Sequence, residues 1–243
     1  MSSGWRNNWK PLLPKADMKS LSVTIEWAGE ALTLLPERAI WWARKETLFI
    51  ADPHFGKAAT FRFAGVPVPE MTHDEDLKRL EGVLKQFSAK QLVILGDFFH
   101  ARPGRSQATT SALAAWRQRH AGLQILLVLG NHDRHAGTPP EEWDIHCVKG
   151  LEPMPPFSLS HEPAEIEDAF VLAGHWHPSF RLNDSIGSGI RLPCFYFRSN
   201  MAVLPAFGNF TGTHPIVKKP RDRIFLVGPE AVIEVTRKSS KLD

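Results

Sequence analysis

Apolar residues along the chain follow two rhythms. From residue 21 onward they form short strand-like runs at 21–27, 31–35, 39–43 and 47–51, broken by Gly29 and Pro36, which predicts a β meander. The period then lengthens. Leu77, Leu80, Leu84 and Phe87 recur at three- to four-residue spacing and predict an amphipathic helix, with Thr72 and Glu75 spaced as a capping box. An apolar run at 91–95, a second helix around 107–120 and another run at 124–129 continue the alternation, as in a parallel sheet with helical crossovers. Strand signals return near 157–159, 170–173, 193–197, 202–205, 224–227 and 231–235. The pattern predicts an α/β fold of two packed sheets with helices outside.

Residues 1–20 lack either period and are expected to be a flexible tail, with Met18 a second candidate start; residues 21–243 are expected to form one domain. Composition adds little. The formal net charge of +3 permits a polyanionic partner without announcing one. Cys147 and Cys194 stand far apart and suggest neither a disulfide framework nor a zinc-thiolate site. That cysteine usage fits a reducing cytoplasm, and with no apolar run of the length that spans a bilayer a soluble protein with no membrane partner is expected.

The chemistry lies where the apolar runs end. The first run delivers Asp52 and His54; the next delivers Gly96, Asp97 and His100; the third delivers Gly130, Asn131, His132 and Asp133. Further on, His161 closes a short strand, and Gly174, His175, Trp176 and His177 close another. Side chains two apart on an extended segment share a face, so one ion could take both Asp52 and His54, and His175 and His177 are expected to point inward together. Carboxylate, imidazole and amide oxygen without thiolate suit Mn, Fe, Zn or Mg. Two ions about 3.5–4 Å apart could share a bridging carboxylate, for which Asp97 is the candidate. The glycines before these ligands are expected to let the backbone leave the strand and approach a phosphate.

Taken in order, Asp52-Pro-His54, Gly96-Asp97-Phe-Phe-His100, Gly130-Asn131-His132-Asp133, His161 and Gly174-His175-Trp-His177 resemble the signature of the calcineurin-like metallophosphoesterases. The resemblance implies a four-layer sandwich of two mixed β-sheets flanked by α-helices. It implies that Asp52, His54 and His177 hold one divalent ion, that Asn131, His161 and His175 hold the other, and that Asp97 bridges. His132 would then act in catalysis with Asp133 orienting it, and the reaction would be in-line attack by a metal-bound hydroxide. His100 replaces the Asp that many members carry before an Arg. With the segments 35–40, 51–58, 65–69 and 99–102, it makes the chain similar to the ligase-associated DNA damage response endonucleases. That branch implies two manganese ions, single-stranded DNA as substrate, a role for His100 in catalysis, and a repair helicase and ligase as partners.

Two rivals share the evidence. Another phosphoesterase of the same chemistry, such as a nucleotide-sugar pyrophosphatase or a phosphoprotein phosphatase, would carry the same ligands. A non-catalytic scaffold would have lost some, and here every position is filled. Phe55, Lys57, Phe61, Arg62 and Phe63 interleave aromatics with cations, which suits either a single strand of nucleic acid or an ordinary packed loop. Arg102, Arg105 and Arg134 flank the metal motifs and could contact phosphates or balance charge. His73, His120, His135, His146 and His214 are expected to be ordinary surface or cap residues.

Overall fold

The computed structural model describes residues 21–68, 72–183, 189–209 and 211–236. The tail 1–20 and the candidate start Met18 lie outside the described residues, as does the capping contact expected of the Thr72 side chain.

Four strands open the fold as an antiparallel meander: β1 (Val23–Trp27), β2 (Glu30–Leu35), β3 (Ala39–Trp42) and β4 (Thr47–Ala51). Strand β3 ends one residue before the expected Ala43, because residues 43–45 tighten into a 3₁₀ turn and Glu46, at φ 47°, reverses the chain into β4. Crossovers follow. Helices α1 (Lys57–Phe63) and α2 (Thr72–Phe87) lead to β5 (Gln91–Leu95), α3 (Gln107–Arg119) leads to β6 (Gln124–Val128), and α4 (Asn131–Ala136) precedes β7 (His146–Val148). Strands β4 to β7 are mutually parallel and complete a sheet in the order β1 to β7.

The second half builds another mixed sheet from β8 (Glu152–Met154), β9 (Phe157–Leu159), β10 (Phe170–Ala173), β11 (Pro178–Asn183), β12 (Gly189–Phe197), β13 (Met201–Val203) and β14 (His214–Pro215). Strands β15 (Arg223–Val227) and β16 (Val232–Glu234) attach to it through β12. Strand β11 is absent from the sequence expectation, which recognised only the later part of β12. Its run Pro-Ser-Phe-Arg-Leu-Asn carries a proline and two strong polar residues, a weak strand signal by itself.

Alternation along the central strands explains why they are apolar on both faces. Leu48 and Ile50 of β4 join Leu92 and Ile94 of β5 under helix α2, which contributes Leu77, Leu80, Val83 and Leu84, and under α3, which contributes Leu113 and Trp116. Phe49, Val93, Leu95 and Val128 point the other way and meet Phe157, Leu159, Leu172, Phe195, Phe197 and Phe225 between the two sheets. On the far face of the second sheet Cys194, Tyr196, Ile224 and Leu226 pack with Trp176 and Ile216. The expected pair of packed mixed sheets with helices outside is what the chain builds. Among the described residues, no helix is long and apolar enough to cross a membrane.

Candidate metal centre

Parallel register decides where the polar motifs meet. Ala51 pairs with Leu95, and Leu95 with Val128, so β4, β5 and β6 end together and release Asp52, Asp97 and Asn131 at one edge. In the second sheet β9 and β10 are also parallel, with Leu159 opposite Leu172, so His161 and His175 emerge side by side. The two edges are stitched together. The amide of His175 donates to Asp52 Oδ2 at 2.8 Å, and Gly174 N donates to the His161 carbonyl at 3.1 Å.

The backbone at these positions corrects the simple alternation argument. Asp52, His54, Asp97, His175 and His177 all have positive φ, between 46° and 68°. Left-handed kinks, not an extended segment, therefore turn Asp52 and His54 inward together, and likewise His175 and His177. Each such residue costs about 1–3 kcal/mol and persists because the surroundings hold it. The glycines also make room for neighbouring side chains. A Cβ on Gly96 would run into the His161 ring, one on Gly130 into Asp97, and one on Gly174 into Asp52. Gly96 additionally needs its φ of 85°. Gly96→Ala is expected to push His161 aside and cost at least ~2 kcal/mol. Thermal unfolding and bound-metal content check this, and unchanged metal content would refute it.

All seven expected ligands converge. In one group His177 Nε2 lies 3.4 Å from His54 Nε2 and 3.6 Å from Asp52 Oδ2. In the other, His161 Nε2 lies 2.9 Å from Asn131 Oδ1 and 3.0 Å from His175 Nδ1. Asp97 stands between them, with Oδ1 3.5 Å from His161 Nε2 and Oδ2 3.7 Å from His54 Nε2. Carbonyls behind the rings set which nitrogen faces inward. His161 Nδ1–H donates to the Leu95 carbonyl at 3.1 Å and His177 Nδ1–H to that of Gly212 at 3.0 Å, so both present a bare Nε2 lone pair.

The arrangement fits a pair of divalent cations. Asp52 Oδ1 is buried with no hydrogen-bond partner among the described residues, a lone pair that a cation would satisfy. Burial lowers the pKa of His54, reinforced by the nearby His177 and Lys57, and burial also lowers His175, so both rings are held neutral as metal ligands must be. Burial would lower His177 too, but the nearby Asp52 carboxylate outweighs it and raises the value. Burial raises Asp97, and the charge of Asp52 adds to the rise.

His100 and His132 stack beside the first group, centroids 5.1 Å apart. His132 N donates to Asp97 Oδ1 at 2.9 Å, and its Nδ1–H donates to the His100 carbonyl at 2.6 Å. Its Nε2 is thereby left for substrate. His54, with Nε2 turned to the metal group, points Nδ1 at His100 Nδ1, 3.3 Å away. A proton on His54 Nδ1 makes His100 Nδ1 the acceptor and leaves His100 an Nε2–H donor. Burial, with Lys57 nearby, lowers His100 to about 4, so that donor is neutral at pH 7. His54, His100 and His132 also cluster closely enough to suggest a third ion, but the tautomer just described assigns them to a hydrogen-bond relay.

Asp133 does not orient His132. Its Oδ1 accepts from Phe98 N at 2.9 Å and its Oδ2 from Gly130 N at 2.9 Å, so it braces two metal loops against each other. Burial pushes this carboxyl up to about 6 from its ordinary 3.8. A raised folded-state value means its contribution to stability is fully present below pH 3.8 and is lost as pH rises through 6. Asp133→Ala is expected to cost about 2–4 kcal/mol by orphaning buried amides. Asp133→Asn should instead flatten the pH dependence of stability between those values, which pH-resolved denaturant unfolding measures; an unaltered slope would refute the assignment.

From Lys57 onward the aromatic and basic stretch is helix α1. Phe55 is core, Phe61 approaches the His100 ring, and Phe63 is 79% exposed. Arg102 and Arg105 hold the carbonyls of His135 and Ala136 at the end of α4. His120 stacks on Trp116, as an ordinary cap residue does. Residues 206–209 and 211–212 went unrecognised in the sequence. They supply the Gly212 carbonyl that orients His177, and Phe207 N and Gly208 N bond the carbonyls of Ala51 and Asp52. Their part is played by backbone atoms, for which no residue type gives a signal.

A sequence model of the calcineurin-like phosphoesterases matches residues 46–196, a span enclosing every residue of this centre from Asp52 to His177. The chain belongs to the calcineurin-like phosphoesterase family. As such it is a metal-dependent phosphoesterase, a hydrolase, and its His and Asp groups are of the kind that could bind the metal. The crystal structure of Pseudomonas putida nuclease MPE is similar over 88% of this chain and 100% of that one, at 41% identity and a TM-score of 0.77. A looser likeness, at 15% identity and a TM-score of 0.40, covers 78% of this chain and 97% of the E. coli phosphoesterase Yfce. No curated protein matches.

Proposed function

We propose that this phosphoesterase is a nuclease that hydrolyses phosphodiester bonds in DNA, preferring single strands, in DNA repair. The observation that carries the metal chemistry is the position of Asp97, one oxygen facing each of two ligand groups. The nucleic-acid substrate draws on the likeness to a nuclease along that protein's whole length. Asp52, His54 and His177 would hold one ion and Asn131, His161 and His175 the other, with Asp97 available to both. Manganese heads the candidates, with Fe, Zn and Mg also suited to this donor set.

Two divalent ions supply Lewis acidity at the phosphoryl oxygens and lower the pKa of water. The chain's own residues do the rest. Asp97 fixes the separation of the two groups. His132, its Nδ1–H committed to the His100 carbonyl, faces the leaving oxygen with Nε2; in its imidazolium form, protonated on both nitrogens, it passes the Nε2 proton to that oxygen as the ester bond breaks and is left neutral. His100 donates a neutral Nε2–H to the phosphate or the leaving group and steadies charge without changing its own protonation.

The test is to strip the metal, add circular single-stranded DNA and restore one divalent ion at a time. Linearisation, strongest with manganese, is the expected result. Circles that stay intact while a nucleotide-sugar pyrophosphate is rapidly cleaved would replace this reading with the pyrophosphatase.

A further inference from the structure

Beside the metal centre lies a charged group that the chemistry above does not use. Arg38 sits in the turn between β2 and β3, half-buried and at φ 64°. Among the described residues, the hydrogen bonds of its guanidinium run from Nη1 alone, to the carbonyls of Ala206 and Gly208, both at 3.4 Å. These are long for a charged donor. Arg38 also lines a cavity of about 100 Å³ whose wall includes His177, Thr211 and Thr213. The volume is that of about three waters, room for a tetrahedral oxyanion.

No carboxylate among the described residues pairs with Arg38. The neighbouring Asp76 is taken by Arg79 at 2.9 Å and by the amide of Asn209 at 3.1 Å. Arg79 in turn lies over the Phe207 ring at 4.3 Å and donates to the Phe207 carbonyl and to Asn209 Oδ1. The segment that Arg38 grips is thus held from below by α2 and from the side by the strand end carrying Asp52. One wall of the cavity is His177, so the arginine stands in fixed relation to the metal ligands. A cation held in this way, lining a small cavity and paired with no anion among the described residues, suits an anionic group of the substrate.

We propose that this cavity binds a phosphate of the nucleotide chain other than the one being hydrolysed, with Arg38 as its anchor and the Thr213 hydroxyl as a second donor. The proposal rests on the nuclease reading and extends it. Such a subsite favours a substrate carrying a further phosphate, either a flanking diester or a terminal monoester, over one with a single linkage.

Three thymidine substrates separate these cases for the manganese-loaded protein: a dinucleotide with one linkage, the same dinucleotide with a terminal phosphate, and a trinucleotide with two linkages. The wild type is expected to favour one or both of the phosphate-bearing substrates in kcat/KM by about 10- to 100-fold. The preferred one tells which phosphate is bound. Arg38→Met should bring that ratio near one, and Thr213→Val should lower it in part. A ratio, unlike a rate, is insensitive to general damage. A second arm needs no catalysis. Metal-stripped protein is titrated with the trinucleotide at several salt concentrations, and Arg38→Met should weaken binding and reduce the logarithmic salt slope by about 0.7. No preference in the wild type, or a ratio and salt slope that Arg38→Met leaves unchanged, would overturn the subsite. If the wild type cleaves none of the three, circular single-stranded DNA decides the nuclease reading, which falls if the circles also stay intact, and the salt slope alone decides whether the cavity binds phosphate.

Discussion

Asp97→Ala is expected to lose both bound ions and to reduce phosphodiester hydrolysis by about 10⁴-fold or more, an effect of the size seen when a shared catalytic group is removed. The reason is geometric. One oxygen faces His161 Nε2 and the other His54 Nε2, so the carboxylate addresses the inward-facing nitrogens of both groups. Its Oδ1 also accepts the amide of His132, which fixes the start of α4. The same residue should destabilise the protein when metal is absent. Burial raises its pKa, and the negative charge of Asp52 adds to the rise. With the folded value above the unfolded one, its contribution is favourable at low pH and is lost as pH rises through the folded value. Metal-stripped Asp97→Asn is therefore expected to be more stable than metal-stripped wild type at pH 8, with the gap closing on acidification. Metal analysis, DNA hydrolysis and thermal unfolding test these expectations together. Two ions per chain retained in Asp97→Ala would end the bridging assignment.

The contrast between what the sequence disclosed and what it hid has a physical origin. Residue type discloses chemistry, so Asp52, His54, Asp97, Asn131, His161, His175 and His177 could be picked out by their position after apolar runs. Buried central strands such as Phe49 within β4 and Val93 within β5 were legible because both their faces are apolar. Backbone conformation is not written in residue type in the same way. Nothing marks His54 or His177 as left-handed, and extended alternation predicted their inward direction for the wrong reason. Carbonyls are still less visible: those of Leu95, His100 and Gly212 orient three of the histidines, and every residue carries one. Asp133 illustrates the limit of motif reading. It stands next to His132 in sequence, yet its carboxylate points to the amides of Phe98 and Gly130.

That brace and the carbonyl of His100 leave His132 with a distinct role, and His132→Ala should separate chemistry from metal binding. Its Nδ1 is occupied at 2.6 Å by the His100 carbonyl, while Nε2 lies 4.0 Å from Asp97 Oδ2 on a side chain that is 36% exposed. The ring therefore belongs to neither ligand group but lies where a substrate can reach it. The variant is expected to keep about two ions per chain and to lose about 10²- to 10⁴-fold in kcat on DNA, the range of general acid catalysis. The loss should depend on the leaving group. A deoxyribose oxygen departs poorly as an alkoxide and needs the proton, whereas nitrophenolate departs unaided, so a nitrophenyl phosphodiester should be cleaved at close to the wild-type rate. Comparing the two substrates at equal metal content isolates the proton from the cations. Loss of metal as severe as in Asp97→Ala would make His132 a ligand, and equal slowing on both substrates would make it a positioning residue with no proton to give.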